Sequence, residues 1–247
     1  MKNYLILLGI VLLLISCSDT QTHTVFLAGD STMAEKKADK YPETGWGMKL
    51  NQFFTEKMTV ENHAKNGRST RTFIEEGRWD SLVSKVGKGD YVFIQFGHND
   101  QSKQKIDRYT SPDDFYKNLS RFVDDVRVKK GIPVLLTPLM RRRFDENGVF
   151  YDVHGEYPDV IRKVAADKKV VLLDVHKSSG DLLAKLGEEK SRALFLIAQP
   201  GVWENYPDGS NDNTHFNEYG AQEMARLVVS ALKDTELELK KELKDEQ

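Results

Sequence analysis

Short apolar runs alternate with amphipathic stretches along most of the chain. Five runs stand out, the second weaker than the others, and they cover residues 24–28, 58–62, 91–96, 132–137 and 170–175. Mostly continuous apolar runs, rather than strict alternation of apolar and polar positions, are typical of strands that are covered on both faces of a parallel sheet. The pattern therefore predicts a sheet of five parallel strands.

Helical patterns lie between these runs. Ser111 suits the N-cap, Pro112 suits the first helical position, and the apolar residues that follow repeat at helical spacing up to Gly131. Similar patterns predict helices over residues 46–56, 157–168 and 216–232. Alternating strands and helices with right-handed crossovers predict an α/β protein, a three-layer α/β/α sandwich.

The N-terminus has the pattern of an export signal. Lys2 precedes an apolar run of eleven residues, Leu5 to Ile15, which is short for a membrane-spanning helix of about 20 residues and typical of a signal peptide. The following Leu14-Ile15-Ser16-Cys17 resembles a bacterial lipobox, so Cys17 is the predicted lipid attachment point. We expect an exported lipoprotein that faces the periplasm or lies at the cell surface. The alternative is a plain signal peptide with an incidental cysteine.

The rest of the chain has no internal repeat and no linker-like segment. We predict a lipoprotein signal peptide over 1–16, a short tether over 17–23, one domain over 24–233 and a solvated, charged C-terminal tail over 234–247. The single cysteine excludes a disulfide framework. The net charge of −2 offers no general attraction for nucleic acid. The lipid anchor is the only membrane contact that we expect, and the oligomeric state stays open.

Polar residues follow the predicted strands at the points where each strand ends. Ser31 follows the first strand, Gly67 the second and Asn99 the third, while Asp212 and His215 precede the last helix. The carboxyl ends of parallel strands share one edge of the sheet, where ligand crevices form. A hydroxyl, an imidazole and a carboxylate in one crevice suit nucleophilic catalysis. No set of residues has metal-ligand spacing, so we expect neither a metal nor a cofactor.

The order and placement of these motifs resemble the GDSL, or SGNH, hydrolase family. The resemblance implies a flavodoxin-like fold with five parallel strands. It also implies that Ser31 is the nucleophile and an oxyanion-hole donor through its own N–H. Gly67 and Asn99 would be the other two donors, His215 the general base and Asp212 its partner. The nearest local competitor of Asp212 is Asp208.

Longer motifs resemble the rhamnogalacturonan acetylesterases of carbohydrate esterase family 12. They are Asn66-Gly67-Arg68-Ser69, Phe96-Gly97-His98-Asn99-Asp100, the stretch from Asp212 to Gly220, and residues 141–148 with 154–158. The resemblance implies a serine esterase that removes O-acetyl groups from a plant cell-wall polysaccharide or oligosaccharide, in the first place rhamnogalacturonan. His98 would be a buried histidine that hydrogen-bonds its own loop.

Five further residues are candidates for substrate contact. A fork-shaped guanidinium suits a galacturonate carboxylate, and an indole can stack on a sugar ring. The competing interpretations are ion pairing with Asp145 and Glu146 for the arginines and core packing for the indole. The candidates are Arg141, Arg142, Arg143, His154 and Trp203.

Two alternative functions stay open at this point. The first is an esterase for another acetylated glycan, or a lipase- or thioesterase-like enzyme, since the sequence does not define the depth of the acyl pocket. The second belongs to another class: a non-catalytic, glycan-binding surface lipoprotein on a retired esterase scaffold.

Overall fold

The computed structural model describes residues 22–245. The predicted signal peptide over 1–16 and the predicted lipidation site at Cys17 lie outside this range. No helix within it is long and apolar enough to cross a membrane.

Five parallel strands form the central sheet in the spatial order β2-β1-β3-β4-β5. The strands are β1 (His23–Gly29), β2 (Met58–Asn62), β3 (Tyr91–Gln95), β4 (Ile132–Leu136) and β5 (Val171–Leu173). All five predicted strands are present, and their order is the doubly wound one of flavodoxin-like folds. The predicted fold class is confirmed.

Seven helices surround the sheet in the described part of the chain. They are α1 (Gly47–Leu50), α2 (Thr70–Glu75), α3 (Arg78–Lys85), α4 (Pro112–Val128), α5 (Tyr157–Lys168), α6 (Val175–Ser191) and α7 (Glu218–Lys233). Residues of α1, α6 and α7 pack on one face of the sheet, and residues of α2 to α5 pack on the other. In β1, Val25 belongs to the first core and Phe26 to the second. Burial on both faces therefore explains the continuous apolar runs.

Several helices differ from the sequence-based expectation. The predicted helix over 46–56 is only α1, followed by a 3₁₀ turn over Asn51–Phe53. The helices α2, α3 and α6 were not predicted. Helix α6 follows β5 after the single residue Asp174, whose side chain accepts a hydrogen bond from the amide of Lys177. The apolar run of β5 therefore continues directly into α6, which hides the boundary between them.

A second, two-stranded antiparallel sheet was also missed. It consists of β6 (Phe195–Ala198) and β7 (Ser210–Phe216). Most residues of β7 are Ser, Asn, Asp, Thr or His, and Asn and Asp are depleted in strands. Its pairing with β6 therefore has no clear local signal. The helix predicted from residue 216 begins at Glu218, because Asn217 is its N-cap.

The C-terminal segment packs against the domain, contrary to the predicted solvated tail. Leu239 is 1% exposed, and residues Glu238–Glu242 form a 3₁₀ turn. The amide of Thr55 donates to the carbonyl of Glu242 at 2.8 Å. Leu243 forms an isolated bridge with Phe54. Leucines four residues apart among the charges supply the apolar contact that holds this segment.

Candidate active site

Ser31, His215 and Asp212 form a continuous row at the carboxyl edge of the sheet. The Oγ of Ser31 lies 2.8 Å from Nε2 of His215, and Nδ1 of His215 lies 2.6 Å from Oδ2 of Asp212. Ser31 lies two residues after the end of β1, whereas the other two residues come from β7. The structure thus brings together three side chains that are separated by up to 184 residues in the chain.

The Asp212-x-x-His215 spacing builds its own geometry. Oδ1 of Asp212 accepts hydrogen bonds from the amides of Thr214 at 2.7 Å and His215 at 3.0 Å. This local turn leaves Oδ2 for the imidazole. Burial raises the pKa of Asp212. The hydrogen bond to His215, the charge of His215 and the two amide donors outweigh burial and lower the pKa to about 2. The competitor, Asp208, is exposed on the β6–β7 loop.

The buried carboxylate of Asp30 stabilises the loop that carries Ser31. Asp30 accepts from the amide and hydroxyl of Thr32, both at 2.9 Å. Its other oxygen lies 3.0 Å from Nδ1 of His98, whose Nε2 lies 2.9 Å from the carbonyl of Leu139. Burial raises the pKa of Asp30, but His98 and Thr32 offset it and lower the pKa to about 2. His98 is therefore buried, as the sequence indicated, but its ring bonds Asp30 and Leu139 on two other loops rather than its own loop.

Gly67 lies in a tight turn that only glycine adopts easily. The amide of Arg68 donates to the carbonyl of Lys65 at 3.3 Å, and Gly67 has a φ of +78° in the left-handed region. Asn99 is tied to this turn, because its Nδ2 donates to the carbonyl of Arg68 at 3.0 Å. One of the two amide hydrogens of Asn99 is used in this way, and the other is available for a ligand.

Lys36 links the Ser31 loop to the Gly67 turn, a role that its place in the sequence does not indicate. Its Nζ donates to the carbonyl of Ser31 at 2.7 Å and to Oδ1 of Asn66 at 2.9 Å. It also pairs with Glu43 at 2.7 Å, and its side chain is 2% exposed. A lysine among other charged residues gives no local signal for such a role.

Arg142 does not lie in position to contact a substrate, so this expectation is wrong. Its side chain is 6% exposed and donates to the hydroxyl of Ser191, Oδ1 of Asn213 and the carbonyl of Glu188. The bond to Asn213, next to Asp212, is 2.7 Å long. Arg142 therefore braces the strand that carries the carboxylate of the row. The ion-pair partner of Arg142 is Glu188 on α6, rather than Asp145 or Glu146.

Arg141, Arg143 and His154 line one cavity beside the Asn99 loop. The two arginines are partly exposed, whereas His154 is buried. His154 lies 2.7 Å from Asp152 through Nδ1, and its Nε2 has no partner within residues 22–245. The imidazole thus belongs to the wall of the cavity.

Trp203 lies elsewhere, on the loop between β6 and β7. It forms an isolated bridge with Tyr206, and their rings meet edge to face with centroids 6.2 Å apart. Trp203 lines an open depression together with Tyr41 and Tyr219. This position is compatible with stacking on a sugar, which stays a prediction.

One group of side chains in the described residues has the geometry of metal ligands. Ligand atoms of Asp152, His154 and His176 lie within 4.8 Å of one another. The sequence shows no metal-ligand spacing here, because His176 lies beyond α5, far along the chain from Asp152 and His154. Asp152 hydrogen-bonds Nδ1 of His154 at 2.7 Å and lies 3.2 Å from Nε2 of His176, so the attraction of one carboxylate for two imidazoles also accounts for the arrangement.

The row of hydroxyl, imidazole and carboxylate at the edge of an α/β/α sandwich is the arrangement of a serine hydrolase. The sequence profile of the GDSL-like Lipase/Acylhydrolase family matches residues 27–223. The chain belongs to this family, and the family resemblance indicated by the motifs is confirmed.

Curated relatives refine this assignment. The chain is 43% identical to rhamnogalacturonan acetylesterase RhgT of Bacillus subtilis (strain 168), over 89% of this chain and 93% of the relative. It is 38% identical to the probable rhamnogalacturonan acetylesterase YesY of the same organism, over 87% of this chain and 94% of the relative. The narrower resemblance to rhamnogalacturonan acetylesterases is therefore also confirmed.

Solved structures share the fold. The crystal structure of protein YxiM from Bacillus subtilis superposes with a TM-score of 0.73 at 26% identity, covering 86% of this chain and 56% of that chain. Axe2, an acetylxylan esterase from Geobacillus stearothermophilus, superposes with a TM-score of 0.61 at 18% identity, covering 88% and 95%. At that identity, the second match concerns the fold alone.

Proposed function

We propose that the chain is a serine acetylesterase that removes O-acetyl groups from rhamnogalacturonan or its oligosaccharides. The observation that carries the proposal is the Ser31–His215–Asp212 row, with contacts of 2.8 and 2.6 Å. The choice of glycan is supported by the 43% identity to a rhamnogalacturonan acetylesterase over most of both chains.

In the first step, the Oγ of Ser31 attacks the carbonyl carbon of the acetyl group. Nε2 of His215 takes the hydroxyl proton, and Asp212 stabilises the imidazolium that forms. The C–O bond to the sugar then breaks, and His215 returns the proton to the departing sugar oxygen. The product of this step is acetyl-Ser31 and a free sugar hydroxyl.

The negative charge that develops on the acetyl oxygen needs preorganised donors. We assign this role to the amides of Ser31 and Gly67 and to the side-chain amide of Asn99. The bond from Asn99 to the carbonyl of Arg68 holds this amide beside the Gly67 turn. Such donors stabilise the oxyanion more than the uncharged substrate, so they lower the barrier itself.

In the second step, water attacks the acetyl-enzyme. His215 takes a proton from the water as its oxygen bonds to the acetyl carbon. The bond to Oγ then breaks, His215 protonates Ser31, and acetate leaves. The same base thus serves both halves of the reaction, and no cofactor enters the cycle.

The experiment that tests the proposal is acetate release from acetylated rhamnogalacturonan beside acetylated xylan. We expect the higher kcat/KM on rhamnogalacturonan and the loss of nearly all turnover in Ser31→Ala, with an unchanged circular dichroism spectrum. Near wild-type acetate release by Ser31→Ala would contradict the nucleophile. Preference for octanoate over acetate p-nitrophenyl esters would favour a lipase-like enzyme. If a fluorophosphonate does not label Ser31, a non-catalytic glycan-binding protein is favoured.

We further propose that the chain is an exported lipoprotein anchored through Cys17. The support is the apolar run Leu5 to Ile15 followed by Leu14-Ile15-Ser16-Cys17. Acyl chains add about 0.8 kcal/mol of membrane affinity for each buried methylene group, so two or more chains anchor firmly. In bacterial cells fed labelled palmitate, we expect label in the wild-type chain and none in Cys17→Ala. Equal labelling of the wild type and Cys17→Ala would contradict the anchor. Protease treatment of intact cells distinguishes a location at the cell surface from one in the periplasm.

A further inference from the structure

A cavity of about 420 Å³ opens beside the candidate active site. Its wall comes from residues 101–104 after β3, from Arg141 and Arg143 after β4, and from residues 153–157. The volume is within the range of about 300–1,000 Å³ that is typical of small-ligand pockets. A single sugar unit of a glycan is a ligand of this size class.

The cavity shares a wall with the loop that carries Asn99. Arg141 donates through Nη2 to the carbonyl of His98 at 3.2 Å, and His98 directly precedes Asn99. On the other side, the amide of Ser102 donates to the carbonyl of Asn99 at 3.1 Å. A ligand in the cavity is therefore adjacent to Asn99, a candidate oxyanion-hole donor. The neighbouring sugar unit of an extended glycan would occupy such a position.

The lining of the cavity is rich in cations. It includes Arg141, Arg143 and Lys103, against the single acidic residue Glu156. The side chain of Arg143 has no hydrogen bond or ion pair in the described part of the chain. Nε of Arg141 is buried and likewise lacks a partner within residues 22–245. These two guanidinium groups retain unused donors, in contrast to Arg142 between them.

The two arginines repel each other. Burial lowers the pKa of Arg141, the charge of Asp30 opposes this effect, and the charge of Arg143 lowers the pKa further. An anion between the guanidinium groups would relieve this repulsion and satisfy the free donors. A planar guanidinium matches a carboxylate in a two-point, charge-assisted contact, which a lysine ammonium does not reproduce.

We propose that Arg141 and Arg143 form a subsite for the carboxylate of a uronic acid unit that adjoins the acetylated sugar. The proposal rests on the proposed function and deepens it, since it assigns two residues to the recognition of the acidic units of the substrate. The overall charge of −2 does not favour such a substrate, so the local pair of arginines supplies the attraction.

Binding of trigalacturonate to the full chain, measured by titration calorimetry, tests the subsite without any need for turnover. We expect a Kd for the methyl-esterified trisaccharide that is about tenfold or more above that of the free acid, because esterification removes the charge. Arg143→Gln should raise the Kd for the free acid by about tenfold to 100-fold and abolish the difference. Arg143→Lys should lie between, since it keeps the charge and loses the fork.

A matched control is Arg226→Gln, which removes the same charge from the exposed face of α7, where Arg226 pairs with Glu223. Its Kd should equal that of the wild type. Equal Kd values for the free acid and the ester, or an unchanged Kd in Arg143→Gln, would overturn the subsite. If Arg143 governs binding while acetylated rhamnogalacturonan releases no acetate, the proposed function fails and the subsite stands. If acetate is released but the Kd does not change in Arg143→Gln, only the proposed subsite is contradicted.

Discussion

The ammonium group of Lys36 donates a hydrogen bond to the carbonyl oxygen of Ser31 at 2.7 Å. The same group reaches Oδ1 of Asn66, the residue before Gly67, at 2.9 Å. One buried cation therefore connects the loop of the candidate nucleophile to the turn of a candidate oxyanion donor. Its charge is balanced by Glu43, so the connection is retained away from solvent.

Replacing Lys36 by Met should disturb this connection. We expect kcat for p-nitrophenyl acetate to fall by about 10- to 100-fold, because small misplacements of reacting groups cost this much. Glu43→Gln is the control, since it removes the ion pair and leaves both hydrogen bonds of Lys36 in place. It should lower the melting temperature and retain most of kcat. A Lys36→Met enzyme with wild-type kcat would show that the connection does not matter for turnover.

Asn99→Ala should lower kcat by about 100- to 1,000-fold, the usual effect of removing one oxyanion-hole donor. KM should change little if the amide acts in the transition state alone. Asn51→Ala is the control, because it removes the same amide from an exposed position outside the site, and its kcat should equal that of the wild type. Steady-state kinetics on p-nitrophenyl acetate measures both variants. Unchanged kcat in Asn99→Ala would remove Asn99 from the oxyanion hole.

Asp100 makes the stability of the protein depend on pH. Burial raises its pKa from 3.8 to about 6, despite hydrogen bonds from Thr70. Below pH 3.8 the group is protonated in both the folded and the unfolded chain and has no effect. Between pH 3.8 and 6 the unfolded chain ionises first, so stability falls as the pH rises. Above pH 6 the loss is complete and amounts to roughly 3 kcal/mol.

Asp100→Asn should remove this dependence, since a neutral amide keeps the oxygen that accepts from Thr70. Relative to the wild type, the free energy of unfolding of Asp100→Asn should be higher at pH 7 than at pH 4. Urea unfolding at the two pH values measures it. Asp181→Asn, at an exposed position, should show little shift. A pH-independent difference in Asp100→Asn would contradict the raised pKa.

Leu239→Ala should destabilise the domain by about 2–5 kcal/mol, as other deletions of buried leucine side chains do. Glu236→Ala, three residues earlier and exposed, should change the free energy of unfolding by about 0.5 kcal/mol or less. Urea unfolding followed by circular dichroism compares them. Equal, small effects of both substitutions would mean that the C-terminal segment adds nothing to the domain.

Much of the fold could be predicted because its signals are local. Burial on both faces leaves a continuous apolar run in each central strand, and Ser111 with Pro112 marks the start of α4 within a few residues. The strand β7 could not be predicted, because its polar residues are stabilised by pairing with β6 and by Arg142. The contact between Arg142 and Asn213 spans 71 residues, and no local pattern reports it.

The identities of Ser31, Gly67, Asn99, Asp212 and His215 follow from residue types placed at strand ends and before the last helix. The convergence of Ser31, Gly67 and Asn99 follows from the rule that parallel strands end at one edge, whereas Asp212 and His215 come from the antiparallel strand β7. The tertiary structure alone decided that Arg142 turns inward while Arg141 and Arg143 face a cavity. Lys36 is likewise recognisable only in the fold. These outcomes depend on contacts between distant segments, where geometry and burial, rather than residue type, determine the partner.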